Sequence, residues 1–167
     1  YINLGISYKK NGDYDNAIVY CGKALEIQLK RDALSHPFTA LIYRNLGEIH
    51  LYKGVYSKAI MYHEKALKIQ LEAFGPEHLR VASIYNNLGL AHHSNGDYEQ
   101  GLGLCEKALG IVLKSLGAGH LDVAIIHENI GNIHGQKGEQ AKSTRSHQKA
   151  LGIRLKTYGP EHPLVAD

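Results

Sequence analysis

HLRVASIYNNLGLAHHSNGDYEQGLGLCEKALGIVLKSLG, from His78 to Gly117, is the stretch that decides the fold. The rest of the chain repeats it at a spacing of 42 residues. Leu88-Gly89 has counterparts at Leu4-Gly5, Leu46-Gly47 and Ile130-Gly131; Gly96 recurs as Gly12, Gly54 and Gly138. Lys107-Ala108-Leu109 recurs as Lys23-Ala24-Leu25, Lys65-Ala66-Leu67 and Lys149-Ala150-Leu151, and His78 as His36, His120 and His162. Self-similarity at a fixed period of tens of residues marks a stacked-repeat protein. The units run approximately over 1–36, 37–78, 79–120 and 121–162, with 163–167 reading as the start of a fifth first helix. Since the chain both begins and ends inside a unit, it reads as a piece of a longer array.

Each unit predicts two helices, A and B. In the second unit Tyr43, Leu46, Gly47 and His50 fall at i, i+3, i+4 and i+7, one face of a helix over about Pro37–Lys53. Gly54 stops it as a residue able to take the left-handed cap conformation. Helix B keeps the same period from Tyr56 through Ala59, Ile60, His63, Ala66, Leu67 and Leu71 to Phe74, and Gly75-Pro76 ends it. A turn this short sets the two helices antiparallel. In units one and three the turn reads Asn-Gly-Asp-Tyr, so Asp13 and Asp97 are expected to N-cap helix B; Val55 and Glu139 are poor replacements. Gly5, Gly47, Gly89 and Gly131 sit mid-helix at a propensity cost of ~1 kcal/mol each. Facing the small column Ala17, Ala59, Gly101 and Ser143 would explain them, because small residues let two backbones approach closely.

Bulk properties narrow the class. Of 167 residues 44% are apolar, which argues for a packed core rather than disorder. A net charge of +3, interspersed along the chain, argues against nucleic acid and anionic membranes as partners. No apolar run approaches the length of a membrane span. Cys21 and Cys105 occupy one column two units apart, about 20 Å at ~10 Å per helix layer, so they cannot bridge. Reduced thiols and the lack of an export signal point to a cytoplasmic protein.

The columns resemble the tetratricopeptide repeat, whose pattern is aromatic, Leu-Gly, aromatic, Gly-x-Tyr, Ala, aromatic, Ala. The second unit supplies Tyr43, Leu46-Gly47, His50, Gly54, Tyr56, Ala59, His63 and Ala66. The longer 42-residue form is similar to the arrays of kinesin light chains and of nephrocystin-type proteins; Gly117-Ala118-Gly119-His120-Leu121-Asp122-Val123-Ala124 and Tyr85-Asn86-Asn87-Leu88 carry the match. The resemblance covers the whole chain. It implies an all-α, right-handed superhelical solenoid of four antiparallel helix pairs, with the A helices on the concave face, a protein or peptide partner, and an adaptor or scaffold role.

The candidate binding residues lie on that face. Asn3, Asn45, Asn87 and Asn129 recur in all four units, and an asparagine can bond both sides of an extended peptide backbone; the competing reading is that each ties neighbouring helices together. Residues sharing the stripe are Ile6 and Lys10, then Leu41, Glu48 and Tyr52, then Ser83, Leu90 and Ser94, then Ile125, Asn132 and Gln136. Arg44 flanks it and, with Lys9 and Lys10, makes the N-terminal half mildly basic, suited to an acidic residue of a ligand. The expected peptide-binding set is therefore Asn3, Arg44, Asn45, Glu48, Tyr52, Asn87, Leu90, Asn129 and Asn132.

Other chemistry finds no support in the motifs. Histidines of one column stand a layer apart, too far to share an ion held at ~2.1 Å, so no metal is expected. The His36, His78 and His120 column is expected to start each A helix, and the His50, His92 and His134 column to replace a packing aromatic. No nucleotide-binding loop or nucleophile motif occurs, so neither an enzyme nor a cofactor is expected. Two readings stand beside the peptide-binding module: a structural spacer or self-association scaffold, joined through exposed repeat ends such as Leu151, Ile153 and Leu155, and the sensor array of a signalling ATPase.

Overall fold

The computed structural model describes residues 1–31, 36–159 and 161–162. These form eight α-helices and no strand: α1 (Ile2–Lys10), α2 (Tyr14–Lys30), α3 (Pro37–Tyr52), α4 (Tyr56–Phe74), α5 (Leu79–Ser94), α6 (Tyr98–Leu116), α7 (Leu121–Gln136) and α8 (Gln140–Tyr158). Odd-numbered helices are the A helices of the sequence pattern and even-numbered ones the B helices. The five terminal residues expected to begin a further helix lie outside the described residues.

The element ends follow the sequence chemistry. Gly54, after α3, has φ +75° and closes that helix in the left-handed region, where a side chain would be strained. His36, His78 and His120 start α3, α5 and α7: each ring Nδ1 accepts the backbone N–H two residues on, from Phe38, Arg80 and Asp122, at 3.1 Å. The histidine loop column is thus a capping column. Asp13 caps α2 by accepting from Asn16 N at 3.1 Å, and this bond together with the Asn16 side chain holds its carboxyl below the usual carboxylate range.

Asp97 departs from expectation. Its side chain makes no cap bond to α6. Oδ2 instead takes the Asn95 amide at 2.7 Å and stands 3.3 Å from His92 Nδ1. The equivalent of His92 in the first unit is Tyr8, stacked on Tyr20, so Asp13 has no imidazole competing for it.

The core runs as a strip between the helices of each pair and between consecutive pairs, built on Ile42, Leu46, Ile49, Val81, Leu88, Val123, Ile133 and the small residues Ala17, Ala59 and Ala108. The mid-helix glycines pack differently from the sequence expectation. The small column supplies backbone: the Ala17 and Gly101 carbonyls lie beside Gly5 and Gly89. The side chains seated on the glycines come from the next turn. A Cβ at Gly5 or Gly89 would stand 2.6 or 2.7 Å from the sulfur of Cys21 or Cys105; at Gly47 or Gly131 it would meet the ring of His63 or His147. The absent side chain makes room for a thiol or an imidazole rather than for a facing alanine.

Each helix packs on its sequence neighbours. The A helices also touch in succession, α1 on α3, α3 on α5 and α5 on α7, while among the described residues no B helix touches the next B helix. A stack whose A helices are close and whose B helices splay apart curves with its A helices on the inside. This packing makes the chain an all-α solenoid and places the asparagine stripe along the inner curve.

Candidate functional site

The inner stripe is cross-linked by polar side chains from one A helix to the next. Glu48 on α3 is its hub. Lys9 Nζ of α1 reaches Glu48 Oε2 at 2.5 Å, and Asn87 Nδ2 of α5 donates to Oε1 at 3.2 Å. Arg44, one turn back, places Nε 3.8 Å from the same oxygen, too long for a hydrogen bond. Further along, Asn129 Nδ2 of α7 donates to Asn86 Oδ1 of α5 at 2.9 Å.

The asparagine column is thus not uniform. Asn45 is only 3% exposed, and its amide donates to the Leu41 carbonyl of its own helix, so a ligand would meet little of it. Asn87 and Asn129 are half-buried and bridge to the preceding A helix; Asn3 is exposed. Of the other expected contacts, Arg44, Glu48 and Leu90 are half-buried, while Tyr52 and Asn132 are exposed. Tyr52 stacks on Tyr14 with ring centroids 6.0 Å apart, which holds an aromatic surface at the end of the stripe.

Among the described residues three hollows lie between consecutive A helices in the same register, each lined also by the intervening B helix. The first, about 330 Å³, lies between α1 and α3 and is walled by Ile2, Asn3, Ala24, Ile27, Phe38 and Leu41, with Tyr1 and Gln28 at its margin. The second, about 480 Å³, lies between α3 and α5, with Phe38, Leu41, Arg44, Gln70, Arg80 and Ile84 among its walls. The third, about 250 Å³, lies between α5 and α7, with Ser83, Asn86, Asn87, Val112, Asp122 and Ile125. Leu41, Ser83 and Ile125, all on the sequence-predicted stripe, therefore border hollows. The stripe alone could not show that Arg80 and Asp122, near the starts of their helices, share them; their place in the period, 42 residues apart, is the signal that could have pointed there.

The second histidine column behaves as two kinds. His50 stacks on Tyr62 at 5.4 Å, the geometry that Tyr8 makes with Tyr20 at 5.3 Å, so it stands in for a packing aromatic as expected. His134 Nδ1 instead lies 2.6 Å from Glu139 Oε2. Lys142 and His134 together hold the Glu139 carboxyl down at about 2. His63 is buried outright, with neither ring nitrogen hydrogen-bonded, and burial pushes its pKa down to about 4. Burial likewise pushes the Cys105 thiol up to about 12, far from a reactive thiolate.

A family model described as tetratricopeptide repeat matches residues 1–72, 38–99 and 80–156. The chain belongs to the tetratricopeptide repeat family. Among solved structures it is similar to BtubC (BKLC) from P. vanneervenii, at 27% identity and a TM-score of 0.84, covering 96% of this chain and 63% of that one. The chain thus spans under two thirds of BtubC. It is also similar to a putative kinesin light chain from Podosopora anserina with nearly identical TPR-like repeats, at 21% identity and a TM-score of 0.82, covering 98% of this chain and 77% of that one. MamA from Desulfovibrio magneticus RS-1 follows at 19% identity and a TM-score of 0.68, covering 94% and 75%. The last two likenesses bear on the fold alone. No curated protein matches the chain. The likeness to kinesin light chain-type arrays read from the sequence holds. Tetratricopeptide repeats are in general protein-interaction scaffolds, and no described helix of this chain is long and apolar enough to cross a membrane.

Proposed function

We propose that this array is an adaptor module that binds an extended segment or a short helix of a partner protein along its A-helix face. The observation that carries the reading is the succession of A-helix contacts without B-helix contacts, which leaves three hollows in line on the inner curve. Curved repeat stacks bind through such faces. The contacts would come from Asn3, Arg44, Glu48, Tyr52, Asn87, Leu90, Asn129 and Asn132, with Asn45 contributing least because it is buried. The polar cross-links fix the spacing of the hollows, so a ligand meets a face already arranged for it. Cys21 and Cys105, buried and unpaired, suit the reducing cytoplasm. Selecting peptides from a random library against the chain tests the reading. Selected peptides should compete with one another and protect the inner stripe in hydrogen exchange; a library that yields no binder, or binders confined to the B helices, would overturn it.

We also infer that the array can associate end to end. Leu4 of α1 is 42% exposed, whereas its counterparts Leu46 and Leu88 are 2% and 4% exposed beneath the preceding helix pair. At the other end Leu151 and Leu155 of α8 are exposed and Ile153 is half-buried. Leu151 is more exposed than its half-buried counterparts Leu67 and Leu109. Ile153 is more exposed than Ile69 and Ile111, each 7% exposed beneath the next unit, whereas Leu155 is as exposed as its internal counterpart Leu113. Leu4 at one end and Leu151 and Ile153 at the other therefore belong to the two halves of the contact that joins successive units inside the chain.

A further inference from the structure

Charge is not evenly shared among the helices. Helix α8 carries five of the 19 Lys and Arg residues and none of the 16 Asp and Glu residues, so the remainder of the chain is net negative. Arg154 turns to α7, where its Nη1 lies 2.6 Å from Glu128 Oε1. The other four, Lys142, Arg145, Lys149 and Lys156, fall at i, i+3, i+7 and i+14 and are all exposed. They occupy about 60° of the helix circumference and form one stripe about 21 Å long. Lys142 has a carboxylate neighbour, Glu139 at 3.1 Å. Arg145, Lys149 and Lys156 have none among the described residues.

Elsewhere in the array the same stripe is interrupted or neutralised. The counterparts of Arg145 are Val19, Met61 and Gly103. Lys23, Lys65 and Lys107, the counterparts of Lys149, lie over the rings of Tyr1, Tyr43 and Tyr85 at 6.0, 5.5 and 5.8 Å. Lys23 and Lys65 each meet a second ring, Tyr20 or Tyr62. In the fourth unit these ring positions hold His127 and Ser146. Two counterparts of Lys156 are lysines, each paired at 2.8 Å: Lys30 with Glu26 and Lys114 with Glu77. The residues in the places of those two carboxylates are Gly152 and Gly119. The backbone frame is shared by all four units, so a row of unpaired cations is not a requirement of the fold.

Like charges one turn apart repel, and an anionic partner relieves that repulsion. The shape of the stripe limits what the partner can be. Leu151, Leu155 and Tyr158, the exposed large apolar residues of α8, lie more than about 100° round the helix from the middle of the stripe. A bilayer meeting the cations would leave them outside. No aromatic side chain stands on the stripe to stack on a base. On α6, the preceding B helix, Glu99 and Glu106 are exposed, which confines the positive surface to the width of one helix. One polypeptide fits that width, and alternate residues of an extended segment stand ~6.6 Å apart on one side, close to the ~4.5–6 Å steps between Lys142, Arg145 and Lys149.

We propose that Lys142, Arg145, Lys149 and Lys156 form a second interaction surface, on the outer side of the array, which takes a Glu- or Asp-rich segment of a partner protein. The surface belongs to a B helix and does not depend on the reading of the A-helix face. It leaves that face open, so one array can hold two proteins at once.

Fluorescence anisotropy on the whole chain tests the surface with a labelled peptide, acetyl-Ser-Glu-Ser-Glu-Ser-Glu-Ser-Glu-amide, and its counterpart carrying Gln for Glu. The Glu peptide should bind with an affinity that falls as salt rises, and the Gln peptide should not bind. Arg145→Gln with Lys149→Gln should weaken the Glu peptide about fivefold or more, as loss of two exposed charge pairs predicts. Lys58→Gln with Lys68→Gln removes the same charge from exposed positions of α4 and should change affinity less than about twofold. Backbone amide NMR signals of α8 should shift on adding the Glu peptide. Equal losses from the two double variants would reduce the effect to net charge and overturn the surface. Binding without preference for Glu over Gln, no binding, or shifts confined to the A helices would overturn it too. Tighter binding of phosphatidylserine vesicles or of single-stranded oligothymidylate, lost in the Arg145→Gln, Lys149→Gln variant, would overturn the acidic protein segment as the occupant.

Discussion

The His63 ring of α4 packs against Gly47 of α3 so closely that a Cβ built on Gly47 would stand 2.6 Å from ring atom Cε1. The ring is wholly buried, so it has no free direction in which to retreat. Gly47→Ala should therefore destabilise the array. Overpacking of this kind costs typically 1–3 kcal/mol, against which the better helix propensity of alanine returns ~1 kcal/mol. Urea unfolding should show a net loss; a gain would mean that the α3–α4 pair opens without strain.

The same substitution at Gly110 should do the reverse. Gly110 lies inside α6, is exposed, and an added Cβ would meet nothing within 4 Å. Gly110→Ala should stabilise by roughly 1 kcal/mol, which in a chain of this size raises Tm by about 2–4 °C. Thermal unfolding followed by circular dichroism reads it directly.

His63 also sets an acid limit. Its folded pKa of about 4 lies below the ordinary histidine value of 6.5 because burial disfavours the imidazolium. The unfolded chain therefore binds the proton more readily. The stability owed to a neutral His63 is complete above pH 6.5 and is lost as pH falls from there to about 4, a total of ~3 kcal/mol from the linkage relation. His63→Cys, copying Cys21 and Cys105 of the same column, should remove this part of the pH dependence. Unfolding free energies of the two proteins between pH 7 and 4 should diverge; parallel curves would show that His63 titrates normally.

Asn87 and Asn129 each donate to the preceding A helix. Asn87→Ala and Asn129→Ala should each lower stability by ~1 kcal/mol. The two sites bond different partners, so their effects should add to within a few tenths of a kcal/mol. If the amides also meet a ligand, the double variant loses affinity for a selected peptide well below its melting temperature, a loss that unfolding cannot explain. Calorimetric titration at low temperature separates the two roles.

End-to-end association predicts a concentration-dependent mass. Sedimentation equilibrium should show species above 18.5 kDa as concentration rises. Leu151→Glu or Leu4→Glu should abolish them by placing charge in an apolar contact. A mass that stays at one chain across the range would discard the end contact.

The amino-acid sequence by itself determined the units and their elements. A period of 42 fixes which residues are equivalent, and the i, i+3, i+4, i+7 spacing of Tyr43, Leu46, Gly47 and His50 fixes which face of α3 turns inward. Helix ends were legible in the same way, since Gly54 needs only its own backbone freedom and His36 only the amide two residues ahead. These are local relationships, settled within one or two turns of chain. The tertiary structure alone decided who meets whom across helices. Periodicity placed Gly47 on the α3–α4 contact but could not say whether Ala59 or His63 would sit on it, because that depends on the crossing of two helices and on a rotamer. It marked Asp97 as a cap without showing that His92 and Asn95 would take its carboxylate. It grouped Arg44 with Lys9 and Lys10, whereas Lys9 is taken up by Glu48, and Arg80, which belongs to the next unit, comes to the same hollow as Arg44 only when α3 and α5 stack. A repeat specifies faces through short-range geometry, whereas a binding site between repeats exists only once long-range packing has chosen the neighbours.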